Sequence, residues 1–233
     1  MNPARLLGHR GHPKQHLENT LESFSAAIKA GLDGFELDVQ RTLDGVLVTH
    51  HDFHLADGRL IAALTMAELP AHIPTLEAVL LLAKEHSAFV NVEIKLEVSA
   101  TDGRERETAA LIARLGMIED VIVSSFNPVS LARVKWVDRR LKTGLLYAPQ
   151  LTQWYLKDGF SAPLLFVSAI HPHHSQVSAE LVKNAHARGW KVNTWTVNDL
   201  ATAERLLQIG VDGLIGDYPE ILLEARRNLE PAV

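Results

Sequence analysis

Two short apolar runs carry charged residues at alternate positions. In Glu36-Leu37-Asp38-Val39 the carboxylates are two residues apart, which on a strand puts both on one face. Two carboxylates buried side by side repel each other and are costly unless positive charge compensates them. A divalent cation with oxygen ligands is the natural compensation, and a strand end open to water is the alternative. The run Asn91-Val92-Glu93-Ile94-Lys95 repeats the pattern, with Glu93 and Lys95 on one face. Taken alone, that pair reads as a buried salt bridge. Beside Glu36 and Asp38, Glu93 completes a set of three carboxylates suited to a hard cation, and Lys95 is left to meet a phosphate oxygen.

Histidines supply the second kind of chemistry. Gly8-His9-Arg10-Gly11-His12 and His50-His51-Asp52 each follow a short apolar run. Imidazoles titrate near neutrality, so two of them placed across a phosphorus could act as base and acid. Arg10 has a planar fork that suits two phosphate oxygens. The glycines flanking His9 and Arg10 permit unusual dihedrals and close substrate approach. Of the 12 histidines, His16, His72, His86 and His186 fall in loops or helices and read as surface residues.

These residues need elements to bring them together. Apolar β-rich runs alternate with helix-period segments from end to end. Strands are expected at 5–8, 34–39, 46–50, 89–95, 121–124, 143–146, 164–168, 191–195 and 213–215. Helices are expected at 19–30, from Thr75 onward, and at 104–115, 130–137, 178–188 and 200–208. Strands regularly separated by helices imply right-handed βαβ units and a parallel sheet. At 233 residues the leading architecture is a single-domain α/β fold, a distorted (β/α)8 TIM-type barrel, with an open doubly wound sheet second. Nine strand-like runs compete for eight barrel positions, with the surplus expected at the Asp44-Gly45 pair or near Ile215. A tight hairpin at Asp44-Gly45 would send 46–50 backwards and put His51 at the wrong rim. Residues 1–233 read as one domain with a short excursion at about 57–74.

Bulk properties narrow the partners. The chain is 47% hydrophobic and 22% charged, contains no cysteine and has a formal net charge of -5. Disulfides and thiolate metal sites are excluded. The absence of a basic block argues against nucleic acid. No run approaches the length needed to span a bilayer, and no basic-then-apolar leader opens the sequence. A cytoplasmic enzyme is the expectation. An acidic chain acting on an anionic substrate must concentrate positive charge locally, through a metal ion and a few basic side chains.

The ordered pieces His9-Arg10-Gly11, Glu18-Asn19-Thr20, Glu36-Leu37-Asp38-Val39, Asp44-Gly45, His51-Asp52, Ile73-Pro74-Thr75-Leu76 and Glu93-Ile94-Lys95 span the first half of the chain. Ser124-Ser125-Phe126, Trp195-Thr196-Val197-Asn198, Gly210-Val211-Asp212-Gly213 and Asp217-Tyr218-Pro219 follow. In number and order they resemble the glycerophosphodiester phosphodiesterases. That resemblance implies a distorted TIM barrel, one bound Mg2+ or Ca2+, and hydrolysis to sn-glycerol 3-phosphate and an alcohol. It implies Glu36, Asp38 and Glu93 as metal ligands and His9 and His51 as the proton-transferring pair. His51 rather than His50 matches, because it directly precedes Asp52. Arg10 and Lys95 would neutralise phosphoryl charge. Trp195 ends a late strand at the expected site rim and is expected to line the pocket near the glycerol, with an ordinary core tryptophan as the alternative. The sequence departs from the family at Phe53-His54-Leu55-Ala56-Asp57-Gly58, in the shorter connection from there to Ile73, and at Gly216. The first two bear on substrate range. The alternatives are a phospholipase C- or D-like lipid phosphodiesterase, for which Phe53 and Trp154-Tyr155 are the aromatic candidates, and a barrel that binds phosphodiesters without turnover.

Overall fold

Five α-helices in the described residues start at a capping side chain. Thr20, Thr75, Asn127, Ser178 and Asp199 each accept a hydrogen bond from a first-turn backbone N–H, which stabilises a helix by about 1 kcal/mol. The computed structural model describes residues 3–95, 101–149 and 166–229. In order its elements are β1 (Arg5–Gly8), α1 (Leu21–Lys29), β2 (Gly34–Arg41), β3 (Leu47–Thr49), α2 (Leu76–Glu85), β4 (Phe89–Ile94), α3 (Arg104–Arg114) and β5 (Val121–Ser125). There follow α4 (Pro128–Val137), β6 (Lys142–Tyr147), β7 (Ala169–Pro172), α5 (Ala179–His186), β8 (Lys191–Thr194), α6 (Leu200–Gln208), β9 (Gly213–Gly216) and α7 (Pro219–Leu229). The expected elements form within a few residues of their reading, with two exceptions. The strand expected at 164–168 is displaced: β7 starts at Ala169, and Leu164 and Leu165 lie outside the described residues. The closing helix α7 was not among the expected elements.

Eight parallel strands close a barrel. The ladder runs from β1 through β2, β4, β5, β6, β7, β8 and β9, and β9 returns to β1 by pairing Arg5 with Gly213 through Gly8 with Gly216. The architecture is thus a single-domain TIM-type barrel, the leading expectation, and not the open doubly wound sheet. Outward-facing strand residues such as Leu6, Phe35, Leu37, Val90 and Val92 are buried against the helices, with Phe24 of α1 stacked on Phe35 at 4.4 Å between ring centroids. Inside the barrel, Leu7, Phe89, Ile122, Ala169 and Ile215 form an apolar plug with Trp195 packed against it. A fully buried side chain of this size contributes roughly 1.5–3 kcal/mol.

The ninth strand is the distortion, and it resolves the hairpin problem. β2 pairs with β4 from Gly34 to Val39 but continues to Arg41, where β3 pairs with it antiparallel through Val39 with Thr49, Gln40 with Val48 and Arg41 with Leu47. Gly45, at φ +86°, makes the turn. β3 therefore approaches the rim from beyond the barrel, not from within it as an ordinary barrel strand would. Because β2 overshoots the barrel, the backward run returns to the carboxyl rim, and His50 N–H bonds the Asp38 carbonyl at 3.0 Å. The surplus thus falls at Asp44-Gly45, and the run at Ile215 is the barrel strand β9. The segment after Asp57 contains two short 3-10 turns, Ile61–Ala63 and Met66–Glu68. Leu55, Ile61, Leu64, Leu69 and Ile73 pack with Val48 of β3 as a small apolar cluster.

Candidate active site

Alternation along β2 aims Glu36 and Asp38 into the barrel mouth, and β4 aims Glu93 beside them, Asp38 being in register with Glu93. The three carboxyls are 3%, 1% and 8% exposed, and one oxygen from each lies within 4.8 Å of the others. Lys95 Nζ bridges two of them, 3.2 Å from Asp38 Oδ1 and 2.9 Å from Glu93 Oε1. Asn19 braces Asp38 twice, donating from Nδ2 to Oδ2 at 3.0 Å and accepting the Asp38 N–H at 3.1 Å.

The protonation pattern follows from who is braced. Burial and the Asp38 charge push the Glu36 carboxyl up to about 8. Burial raises Glu93 as well, against the pull of Lys95. Asp38 is buried just as deeply, yet Lys95 and Arg10 hold it below the usual carboxylate range. Glu36 is the least compensated member: His9 and Arg10 pull its carboxyl down, but burial and Asp38 outweigh them. Its Oε2 accepts the Arg10 N–H at 3.0 Å, while Oε1 is buried without a hydrogen-bond partner. A set of three carboxylates with an orphaned, destabilised oxygen is what a hard cation would relieve, so the residues fit an oxygen-coordinated divalent ion.

Both expected histidines reach this rim. His9 follows β1, and its Nδ1 pairs with Asp217 Oδ1 at 2.7 Å, while Nε2 lies 4.0 Å from Glu36 Oε2. Burial would lower its pKa, but the Asp217 bond and the Glu36 charge outweigh burial and raise it. His51 pairs Nδ1 with Asp52 Oδ1 at 2.7 Å, and its charge helps hold Asp38 down. Neighbouring His50 turns Nδ1 to the Asp52 carbonyl at 2.8 Å instead. His16, His72, His86 and His186 are exposed.

Arg10 is more occupied than its sequence context suggests. Its Nη1 reaches both Glu18 oxygens at 2.9 and 3.0 Å, and Nε lies 3.3 Å from Asp38 Oδ2. Among the described residues Nη2 makes no hydrogen bond, so one corner of the fork is left unoccupied. The backbone of Arg10 is left-handed at φ +54°. Trp195, half-buried, donates Nε1–H to the His171 carbonyl at 2.9 Å and meets Phe126 edge-on. It packs against the apolar plug. Trp154 and Tyr155 lie outside the described residues.

Several partners escaped the reading of site residues. Asp217 orients His9 across 208 positions and is itself held by Asn198, which donates Nδ2–H to Oδ2 at 2.8 Å and accepts the Asp217 N–H at 2.9 Å. Glu18 and Asn19 support Arg10 and Asp38. These residues belong to the ordered pieces noted above, so position was legible, but no spacing pairs Asp217 with His9. Lys14 Nζ, 3.6 Å from Asp217 Oδ2, had no signal at all.

A closed parallel barrel that gathers three carboxylates, two cations and two carboxylate-oriented imidazoles at its carboxyl rim has the equipment of a phosphoryl-transfer enzyme. Residues 9–221 match the Glycerophosphoryl diester phosphodiesterase family, and the chain belongs to that family of phosphoric diester hydrolases. It is similar to the glycerophosphodiester phosphodiesterase of Caldanaerobacter subterraneus subsp. tengcongensis, 36% identical over 95% of this chain and 97% of that protein. The enzyme of the same name from Bacillus altitudinis is 30% identical, over 97% of this chain and 100% of its own length. Among solved structures, an Oleispira antarctica phosphodiesterase in complex with the product sn-glycerol-3-phosphate superposes with a TM-score of 0.80 at 27% identity, covering 96% of each chain. Among the described residues, no helix is long and apolar enough to cross a membrane.

Proposed function

We propose that this chain hydrolyses small glycerophosphodiesters to sn-glycerol 3-phosphate and an alcohol, with Glu36, Asp38 and Glu93 holding one divalent cation, Mg2+ or Ca2+. The observation that carries this reading is the uncompensated Glu36 oxygen within a three-carboxylate cluster, flanked on the same rim by His9 and His51. The product bound to the Oleispira antarctica relative supports the choice of substrate class. When bound, the cation would neutralise charge on the phosphoryl oxygens. Arg10 Nη2 and Lys95 Nζ add to that neutralisation from the protein side.

The protein's own groups then move protons. The glycerol 2-hydroxyl attacks phosphorus and passes its proton to one imidazole, while the other imidazole protonates the departing alkoxide as the P–O bond breaks. Water opens the resulting cyclic phosphate with the two roles reversed, which restores both histidines. Asp217 and Asp52 each bind the Nδ1 of one ring, leaving Nε2 as the working atom. Trp195 walls the glycerol side of the pocket. In this reading residues 1–233 form one catalytic domain, and the excursion at about 57–74 supports β3 and the His51-Asp52 turn, as its packing on Val48 suggests.

A coupled assay for glycerol 3-phosphate over glycerophosphocholine, glycerophosphoethanolamine and lysophosphatidylcholine micelles, with and without EDTA, tests the reading. Turnover of the two water-soluble diesters that stops with EDTA is the expected result. Turnover confined to the micelles would favour a lipid phosphodiesterase, and undiminished turnover in EDTA would refute the cation.

A further inference from the structure

Beyond the barrel ladder, one buried guanidinium joins the ends of β2 and β4. Arg104 opens α3 and is 4% exposed. Its Nε donates to both Asp102 oxygens at 3.0 and 3.1 Å, and Nη2 to Oδ2 at 2.7 Å, so Asp102 fixes the plane of the fork. Nη1 is then aimed at the strand ends. It donates to Gln40 Oε1 at 2.9 Å, to the Val39 carbonyl at 3.5 Å and to the Lys95 carbonyl. Gln40 follows Glu36 and Asp38 on the same face of β2 and is 2% exposed. Its Nε2 donates to the His51 carbonyl at 3.3 Å.

The place of these bonds matters. The β2–β4 ladder ends at Val39 with Ile94, one residue before Lys95, and the β2–β3 ladder ends at Val39 with Thr49, two before His51. Past those points one backbone bond, His50 N–H to the Asp38 carbonyl, is joined by side-chain bonds to the Lys95 and His51 carbonyls. We propose that Arg104 and Gln40 form a positioning tie that fixes the His51 and Lys95 main chains in one frame for phosphodiester hydrolysis. The proposal rests on the roles given above to His51 and Lys95. Neither member of the tie touches a reacting atom. Arginine is required because its fork binds Asp102 and the strand-end acceptors at once. A lysine can satisfy one side only, leaving buried acceptors unpaired.

Gln40→Glu isolates the tie, because it keeps an acceptor for Arg104 and sets an oxygen against the His51 carbonyl. In cation-saturated enzyme acting on glycerophosphocholine, kcat should fall about tenfold or more while KM changes less than about threefold, since small misplacements of catalytic groups are costly. The same substitution is then made in His51→Ala and His9→Ala backgrounds. It should cost nothing further where His51 is already gone and its full factor where only His9 is gone. Arg104→Lys should likewise lose part of its cost in a Lys95→Ala background. Wild-type kcat in Gln40→Glu, or the same loss in both histidine backgrounds, overturns the proposal; the second result marks a merely structural residue. If Gln40→Glu fails to fold by circular dichroism, Gln40→Met carries the same cycle. Full activity of His51→Ala alone would remove the role given to His51, and that failure shows before Gln40 is touched.

Discussion

Glu36→Gln should stabilise the cation-free protein at neutral pH while destroying its response to cation. In the native state burial and Asp38 place the Glu36 carboxyl at about 8, against 4.5 in an unfolded chain. The native pKa is the higher, so the stability associated with this group is fully present below pH 4.5 and is lost as pH rises through about 8. At pH 7 the unfolded chain has released this proton and the native chain retains it, a loss of about 3 kcal/mol relative to acid. For a chain of this size that corresponds to roughly 6–12 °C of Tm. Glutamine carries no charge to bury. Its amide oxygen can accept the Arg10 N–H, and its NH2 can donate to a neighbouring carboxylate. Thermal melts from pH 5 to 8 in EDTA should therefore show a Tm that falls less steeply for the variant than for the wild type, with the variant higher at pH 7–8. The slope does not vanish, because only the Glu36 contribution is removed while His9 and Glu93 remain raised. Adding Mg2+ or Ca2+ at 100 times its dissociation constant should stabilise the wild type by about 2.7 kcal/mol and the variant by far less. A variant that melts below the wild type at pH 8 in EDTA, or that gains as much from cation, refutes the reasoning.

Other consequences can be checked independently. Replacing His9 or His51 by Ala should lower kcat at least ~100-fold with a modest change in KM, measured by glycerol 3-phosphate release. A substrate lacking the 2-hydroxyl should turn over very poorly; a normal rate would mean that water attacks directly. Asp217→Asn should lower the His9 pKa followed by NMR, because the Asp217 bond helps raise it. The stability that the pair contributes below pH 6.5, and that fades as pH climbs through the raised native value, should vanish from the melting profile. Trp195→Phe keeps the apolar cover but loses the bond to the His171 carbonyl. It should raise KM if the indole walls the glycerol, whereas lower Tm at unchanged KM would leave it a core residue.

The parts of this protein that were legible in the sequence are those whose signal is local. Period-two alternation put Glu36 with Asp38, and Glu93 with Lys95, because a strand's pleat fixes which side chains share a face whatever lies around it. The alternation of strands and helices gave the parallel barrel for a similar reason, since βαβ handedness leaves few ways to connect such elements. The direction of β3 was different. An Asp-Gly turn says that a chain reverses, but where His51 lands depends on how far β2 runs past its barrel partners, which the β2–β4 and β2–β3 registers decide together.

Tertiary structure alone decided the company each group keeps. His9 and Asp217 are 208 residues apart, and their contact exists because β9 closes the barrel onto β1. Arg10 reads as a free phosphate fork until Glu18 is seen occupying one of its arms. Glu36 and Asp38 look equivalent on their strand. Only the fold gives Asp38 the cover of Lys95, Arg10 and Asn19 and leaves an oxygen of Glu36 bare. Electrostatics in a low-dielectric site depends on distances of a few ångströms between segments that the chain brings together last, and sequence spacing carries no record of them.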